Sequence, residues 1–421
     1  MLTAVIAAVV AFLVTDSPAA PRSAVDELRA FVAQHALDEV AAQPFAAVAI
    51  SKKDADEARE ILWAAHTKQI RVERSKEIES RVLVHDGARM PFWFTTFGEK
   101  PPTGRSLYIS MHGGGGAPKQ VNDQQWENQK HLYTLDEGIY LAPRAPSDEW
   151  NLWHQPPIDA LFDRLIEDLI VLEDVNPDRV YIMGYSAGGD GVYQLAPRMA
   201  DRLASAAMMA GHPNETKPDG LRNIGFALHV GANDSAYDRN KIAAQWKEML
   251  EKLAADNPGA YRNQVELHEG KGHWMGRDDA KALPWMGTFT RDARPTKIVW
   301  LQDDVTHRRF YWLAVDEPRA GARVVAEREG QIVRVVEATN IDSLCVRLDD
   351  EMVDLDRDVV VLQGVQERFH GRVPRTIATL ARTLTERGDP RGVFSAEVAV
   401  TTKPSQPTVQ AKPANPPISA H

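Results

Sequence analysis

Apolar residues at Val25, Leu28, Phe31 and Val32, and again at Ala58, Ile61, Leu62 and Ala65, recur at the spacing of a helix that buries one face. Two amphipathic helices are therefore expected between Ser23 and about Arg71, in a helical N-terminal segment at 22–75. From Arg81 to Phe97 the pattern shortens to β-like runs, RVLVHDG and MPFWFTTFG. Beyond these, Ser106 to Met111 and Arg179 to Met183 are short apolar runs bounded by turn residues, the character of buried parallel strands, with further strands near Ile224 to Val230 and Gln264 to His268. Helical patterns at Ile158 to Glu173, Gly191 to Leu203 and Arg239 to Ala254 alternate with them. Such alternation predicts an α/β fold, a parallel sheet with helices on both faces, over 76–294.

After Arg294 the pattern changes to β-rich runs at the spacing of a sandwich: Lys297 to Gln302, Arg309 to Val315, Arg323 to Glu327, Ile332 to Ala338, Ser343 to Leu348 and Val359 to Gln363. A smaller β-rich domain at 295–400 is the expectation, with a hairpin turn at 328–331 and a helix from Pro374 to Arg387 that places proline in its first turn. Prolines crowd the stretch from Thr401 to the end, which predicts a disordered tail at 401–421. At the other end, the uncharged run Leu2 to Val14 followed by small residues reads as an export signal over 1–20, although no Lys or Arg precedes it. The expected location is outside the cytoplasm, released or tethered through an uncleaved segment.

Composition narrows the function classes. With 43% hydrophobic and 26% charged residues in 421, the chain has the balance of a globular protein. Its 49 basic against 59 acidic residues give a net charge of −10, the wrong sign for binding that relies on releasing counterions from phosphates, so nucleic acid is not an expected partner. The single cysteine, Cys345, allows neither an internal disulfide nor a thiolate zinc site, and no metal or organic cofactor is expected.

The chemistry concentrates in three segments. Gly184-Tyr185-Ser186-Ala187-Gly188-Gly189 follows an apolar strand and precedes a helical pattern, where a G-x-S-x-G turn pushes a serine hydroxyl out at the carboxyl edge of the sheet. His112-Gly113-Gly114-Gly115-Gly116 also follows a strand; its glycines let backbone N–H groups approach a substrate oxygen, so Gly114 and Gly115, with Ala187, are the candidate oxyanion donors. His112 is expected to orient that loop. Downstream, Leu228 to Asp234 reads as a strand ending in a loop acid, Asp234, and His273 lies in Glu269-Gly270-Lys271-Gly272-His273 after the next strand. Ser186, Asp234 and His273 thus fall in nucleophile, acid, base order, His273 as general base and Asp234 as its orienting partner. Asp238 and His268 are the nearest rivals for the last two places, Asp238 being better explained as a helix cap and His268 as a strand residue.

These motifs resemble the α/β-hydrolase superfamily, and in particular its secreted polyhydroxybutyrate-depolymerase and feruloyl-esterase-like branch, over roughly Arg81 to Met286. That branch is similar in its tryptophan-bearing loop before the elbow, here Glu149 to His154, and in a G-x-x-D acid loop, here Gly231 to Asp234. The resemblance implies a serine hydrolase acting on small or polymeric carboxylic esters. The cysteines that often flank the oxyanion loop of the polymer depolymerases are missing. The Ser-Ala-Gly-Gly of the elbow is also similar to that of prolyl-oligopeptidase-type peptidases, so amide cleavage stays open. So does a surface polymer-binding protein on a hydrolase scaffold, with a surface or polymer ligand for the β-rich domain.

Trp126, Trp150, Trp153, Trp274 and Trp285 fall in segments that such a fold sets near the carboxyl edge; of these, Trp150, Trp153 and Trp274 are the candidate substrate walls. Arg144 is a candidate for a substrate carboxylate, with a loop-anchoring salt bridge as the alternative. The acidic stretch Asp349 to Asp358 lacks the glycine and terminal glutamate of a calcium loop and reads as a solvated charged loop. Cys345, in a strand, is not expected to be reactive.

Overall fold

A computed structural model describes residues 22–402. The expected export signal at 1–20 lies outside the described residues, as does the expected tail beyond 402. Helices α1 (Ala24–Val32) and α2 (Lys52–Ser80) open the chain. Ser51 caps α2 through a reciprocal capping box with Asp54, satisfying donors that the first turn leaves free.

Eight strands then form one sheet: β1 (Val82–His85), β2 (Ala88–Phe97), β3 (Arg105–Met111), β4 (Gly138–Pro143), β5 (Val175–Tyr185), β6 (Ser205–Met209), β7 (Gly225–Gly231) and β8 (Asn263–His268). Their spatial order is β1-β2-β4-β3-β5-β6-β7-β8, antiparallel from β1 to β4 and parallel from there on. One face packs α4 (Pro157–Leu172), α5 (Ala187–Arg198) and α6 (Arg239–Asp256) against Ile109, Ile182, Met208 and Leu228. On the other face, α3 (Lys119–Lys130) reaches Ser110 through Gln129, and α7 (Ala282–Met286) packs on Tyr181, Met183 and Ala227. The sheet covered on both faces is the expected α/β architecture, consistent with an α/β-hydrolase, but it is mixed where a parallel sheet was expected, because its first two pairings are antiparallel.

Three elements of this unit escaped the sequence pattern. Strand β6 reads SAAMM, with no β-branched residue, and β4 lies between a glycine and a proline that resemble loop punctuation; both are wholly buried, and burial between neighbours makes them strands. Helix α3 is too polar for its apolar face to show. Helix α5 begins at Ala187, not Gly191: its glycines are weak helix formers, but they sit where the turn must pass close under the sheet.

The chain after 294 builds two further sheets. One orders Lys297–Leu301, Arg323–Glu329, Ile332–Thr339, Val359–Gln363 and Gln366–Gly371; the other orders Arg309–Phe310, Leu313–Ala314, Ser343–Leu348 and Ala396–Thr401. Val324, Val333 and Val361 of the first share a core with Leu344, Val346 and Val398 of the second. The single strand expected at 309–315 is two short ones turned at Tyr311, whose φ is 53°. Thr401, expected as the first residue of the tail, closes a strand instead. Helix α8 (Ile377–Arg387) is capped by the Thr376 side chain, so Pro374 lies outside its first turn. Most of the acidic stretch is exposed as expected, Glu351, Asp354, Asp356 and Asp358 among it, but Asp349 is buried against Arg294, and Arg375 bonds both Asp350 and Asp356.

The first and last parts of the described chain meet. Ala49–Ile50 pairs with Arg375–Thr376, and Leu28, Val40, Ala58 and Leu62 share a core with Ile377, Leu380 and Leu384 of α8. On its other side α2 packs against α4, where Arg74 bonds Glu167 at 2.5 Å.

Candidate active site

Backbone sterics set the nucleophile position. Ser186 adopts φ 57°, ψ −122°, a conformation side chains rarely take, at the junction of β5 and α5. Its N–H donates to the Met209 carbonyl at 2.9 Å, tying the turn to β6. A Cβ on Gly184 would stand 2.2 Å from the Gly188 carbonyl oxygen, and one on Gly188 would stand 2.1 Å from that of Met111. Glycine is thus required on both sides of Ser186 because the helix start is pressed against the neighbouring strand.

Loops after β7 and β8 bring the other two candidates together. The His273 Nε2 lies 3.0 Å from Ser186 Oγ, and its Nδ1 lies 2.8 Å from Asp234 Oδ2. Asp234 is buried, its loop held by the Asn233 N–H donating to Lys271 O at 2.8 Å and by Asn240 N–H donating to Asp234 O at 3.0 Å. The two loops approach so closely that a Cβ on Gly231 would meet the Gly272 carbonyl oxygen at 2.0 Å. Tyr185, beside the nucleophile, adds a latch that sequence reasoning missed: its hydroxyl donates to His273 O at 2.6 Å and accepts from Met275 N at 3.1 Å. Its signal was its place inside the G-x-S-x-G turn. Of the rivals, Asp238 is exposed, bonds Lys241 and makes no side-chain cap, while His268 is buried against His229. The expectation that Asp238 caps its helix is thereby corrected; its left-handed backbone turns the carboxylate away from the helix start.

The glycine loop is set by its neighbours. His112 is buried; its Nδ1 lies 2.6 Å from Gly113 O and its Nε2 accepts from Ala145 N at 3.1 Å, while burial pushes its pKa down to about 4, so it orients the loop as a neutral ring. The Gly115 N–H donates to Asn122 Oδ1 at 2.8 Å, which removes it as a donor to substrate. Gly114 keeps the expected place beside Ser186, and Ala187 N–H belongs to the first turn of α5, where helix donors lack partners within the helix.

Two pockets meet at Ser186. The larger, about 710 Å³, is lined by Gly114, Val121, Gln125, Leu132, Trp274 and Arg277. The smaller, about 340 Å³, is lined by Trp150, Ala187, Asp190, His212, Tyr237 and Arg239. Trp150 and Trp274, 62% and 56% exposed, line the smaller and the larger pocket respectively. Tyr237, 77% exposed, was missed because it lies in a short loop without a pattern. Two expected contacts are corrected. Trp153 is fully buried, its indole N–H bonded to His112 O at 2.9 Å, so it supports the glycine loop from behind. Arg144 is buried in bonds to Asp123, Asp148 and Ala145 O, the loop-anchoring alternative. Burial raises the Asp190 carboxyl to about 6, although it accepts from His212 N.

None of the known protein-family profiles matches the chain. A curated relative, "Putative esterase NocK" from Nocardia uniformis subsp. tsuyamanensis, is 30% identical over 129 residues, 28% of this chain. The chain spans 38% of that relative's length. Among solved structures, a thermostable esterase aligns with a TM-score of 0.40 at 16% identity, over 50% of this chain and 62% of its own. A carboxylesterase from Mesorhizobium loti aligns with a TM-score of 0.33 at 17% identity, over 49% of this chain and 98% of its own.

Proposed function

We propose that the protein hydrolyses carboxylic esters through an acyl-enzyme on Ser186. The observation that carries this reading is the hydrogen-bonded line from Asp234 through His273 to Ser186, opening where two pockets meet. In this mechanism His273 Nε2 takes the hydroxyl proton as Ser186 Oγ bonds to the ester carbon. The N–H groups of Ala187 and Gly114 receive the oxyanion, and Asp234 keeps a proton on Nδ1 and stabilises the imidazolium. Collapse breaks the bond to the alcohol oxygen, which leaves with the proton from Nε2. A water, deprotonated by His273, then attacks the acyl carbon and Ser186 departs reprotonated. The two pockets, which share Gly114 and Ser186, suit the two halves of an ester, and the name of the curated relative supports the same class.

A fluorophosphonate probe and a panel of short-chain and aryl esters test the proposal. Wild-type protein is expected to be labelled and to turn the esters over, with Ser186→Ala losing both. Amide cleavage requires protonation of a poorer leaving group and an extended cleft, so aminoacyl anilides are expected to react more slowly than the esters. Faster anilide cleavage that depends on Ser186 would replace the esterase with a peptidase.

A further inference from the structure

Three side chains outside the site converge on the second face of the sheet. Strands β7 and β8 are parallel, with His229 opposite Glu266 and Gly231 opposite His268, so His229, Glu266 and His268 project to the same side. His229 and His268 are buried and Glu266 is half-buried at the strand edge. The His229 Nδ1 lies 3.0 Å from His268 Nε2 and 3.9 Å from Glu266 Oε2, and a further Glu266 oxygen lies 3.8 Å from His268 Nδ1. One donor atom from each residue falls within 4.8 Å of the others.

We propose that His229, Glu266 and His268 form a binding site for a divalent transition metal, zinc being the natural occupant of a two-imidazole, one-carboxylate set. Two donors of a tetrahedral zinc stand roughly 3.4 Å apart, given ligand bonds of about 2.0–2.1 Å. The distances of 3.0 and 3.9 Å from His229 Nδ1 straddle that value. A hydrogen bond accounts for the contact between the rings, while the carboxylate stands 3.9 and 3.8 Å from them and its Oε1 accepts from Lys281 at 3.0 Å, the contact that a metal would displace. Metal entry moves the single proton shared between the rings to the far nitrogen of its own ring, so both imidazoles stay neutral. The fourth position would hold water on the Glu266 side. The groups facing the cluster are the exposed Lys281 ammonium, which must swing aside, and the carboxylates of Asp278 and Asp279 on the following turn.

The location gives the site a purpose. The His268 carbonyl accepts from Ala232 N at 2.9 Å and Lys271 N at 3.2 Å, at the roots of the loops that carry Asp234 and His273. A metal there would pin both roots together. The proposal concerns binding and stands whether or not the protein is an esterase.

The test titrates chelator-treated full-length protein with Co²⁺, reading the visible absorption of tetrahedral cobalt, then displaces it with Zn²⁺ while following Tm. One equivalent is expected, with a Tm increase on zinc binding. Glu266→Gln, at a half-buried position, is expected to weaken binding at least tenfold and His268→Gln to abolish the cobalt spectrum. Lys281→Met, which removes the competing ammonium, is expected to tighten binding severalfold. Absence of a tetrahedral cobalt spectrum in the wild type would overturn the proposal and leave a hydrogen-bonded histidine pair. So would binding that Glu266→Gln and His268→Gln leave unchanged while both variants melt as the wild type does.

Discussion

The carboxyl edge of the sheet and the surface where the later β-rich sheets dock are held together by different forces. At the edge, position comes from the backbone: Gly184, Gly188 and Gly231 allow main chains to touch, and carbonyls of neighbouring strands hold the Ser186 and Asp234 turns. At the docking surface, position comes from buried charge. Arg291 spans Asp178 and Asp389 at 2.8 and 2.7 Å, Arg387 meets Asp201 at 2.5 Å, and His307 meets Asp159 at 2.8 Å beside Arg198. Contacts made by the backbone are insensitive to pH and salt, whereas a buried ion pair fails when either partner is removed or neutralised. Chemistry and cohesion should therefore be separable by mutation.

Ser186→Ala carries the largest expected effect: kcat on an aryl ester should fall by about 10³-fold or more, with the melting curve unchanged. A variant that keeps its rate would remove the edge from the comparison as the reacting region. Asp389→Asn is next, on the other side. It leaves Arg291 and Arg202 short of their buried counter-charge and should cost about 3–5 kcal/mol of stability in chemical denaturation. The rate of fluorophosphonate labelling below the unfolding transition should stay close to that of the wild type. Cutting the chain near Ala293 is expected to give insoluble protein, because it removes partners of the buried Asp201 and Asp159 and takes Phe310, Tyr311 and Trp312 out of the shared core. A soluble, active fragment would show the ion pairs to be dispensable.

Acid should reach the two regions unequally. Burial alone would raise the Asp389 carboxyl, but Arg291 and Arg202 overcome it and hold it well below the usual carboxylate range. A depressed native value gives stability that is present above the unfolded pKa, about 3.9, and is lost as pH falls below it toward the native value. Tm is therefore expected to drop steeply below about pH 4, and Asp389→Asn to flatten that limb. An equally steep limb in the variant would locate the acid sensitivity elsewhere. Tyr185→Phe probes the edge more gently: losing the hydroxyl that holds the His273 loop should lower kcat/KM by about tenfold, for roughly 1.4 kcal/mol of lost positioning. The smallest effect expected is on Trp150→Ala, a rise in KM of severalfold for bulky esters, since an exposed rim ring gives up only about 1 kcal/mol of contact.

How much of this was legible before the fold was known follows from the range of the forces involved. Ser186, Asp234 and His273 could be named from strand-turn signals a few residues long, because a nucleophile turn and a strand-end acid have local requirements that glycine and chain order report. The alternation of strands and helices, and the change to β-rich texture after Arg294, were likewise local periodicities. Gly115, Trp153 and Arg144 had the right residue types in the right loops, and only the tertiary structure decided otherwise. Asn122 takes the Gly115 N–H, His112 draws the Trp153 indole inward, and Asp123 and Asp148 claim the guanidinium. Strands β4 and β6 needed their neighbours to become strands, and α1 and α2 needed α8, from the far end of the chain, to bury their apolar faces. The sequence by itself determined which residues can turn, alternate or ionise. Which of them touch was decided by packing between segments distant in the chain, since burial and hydrogen bonding act over a few ångströms of space whatever the separation in sequence.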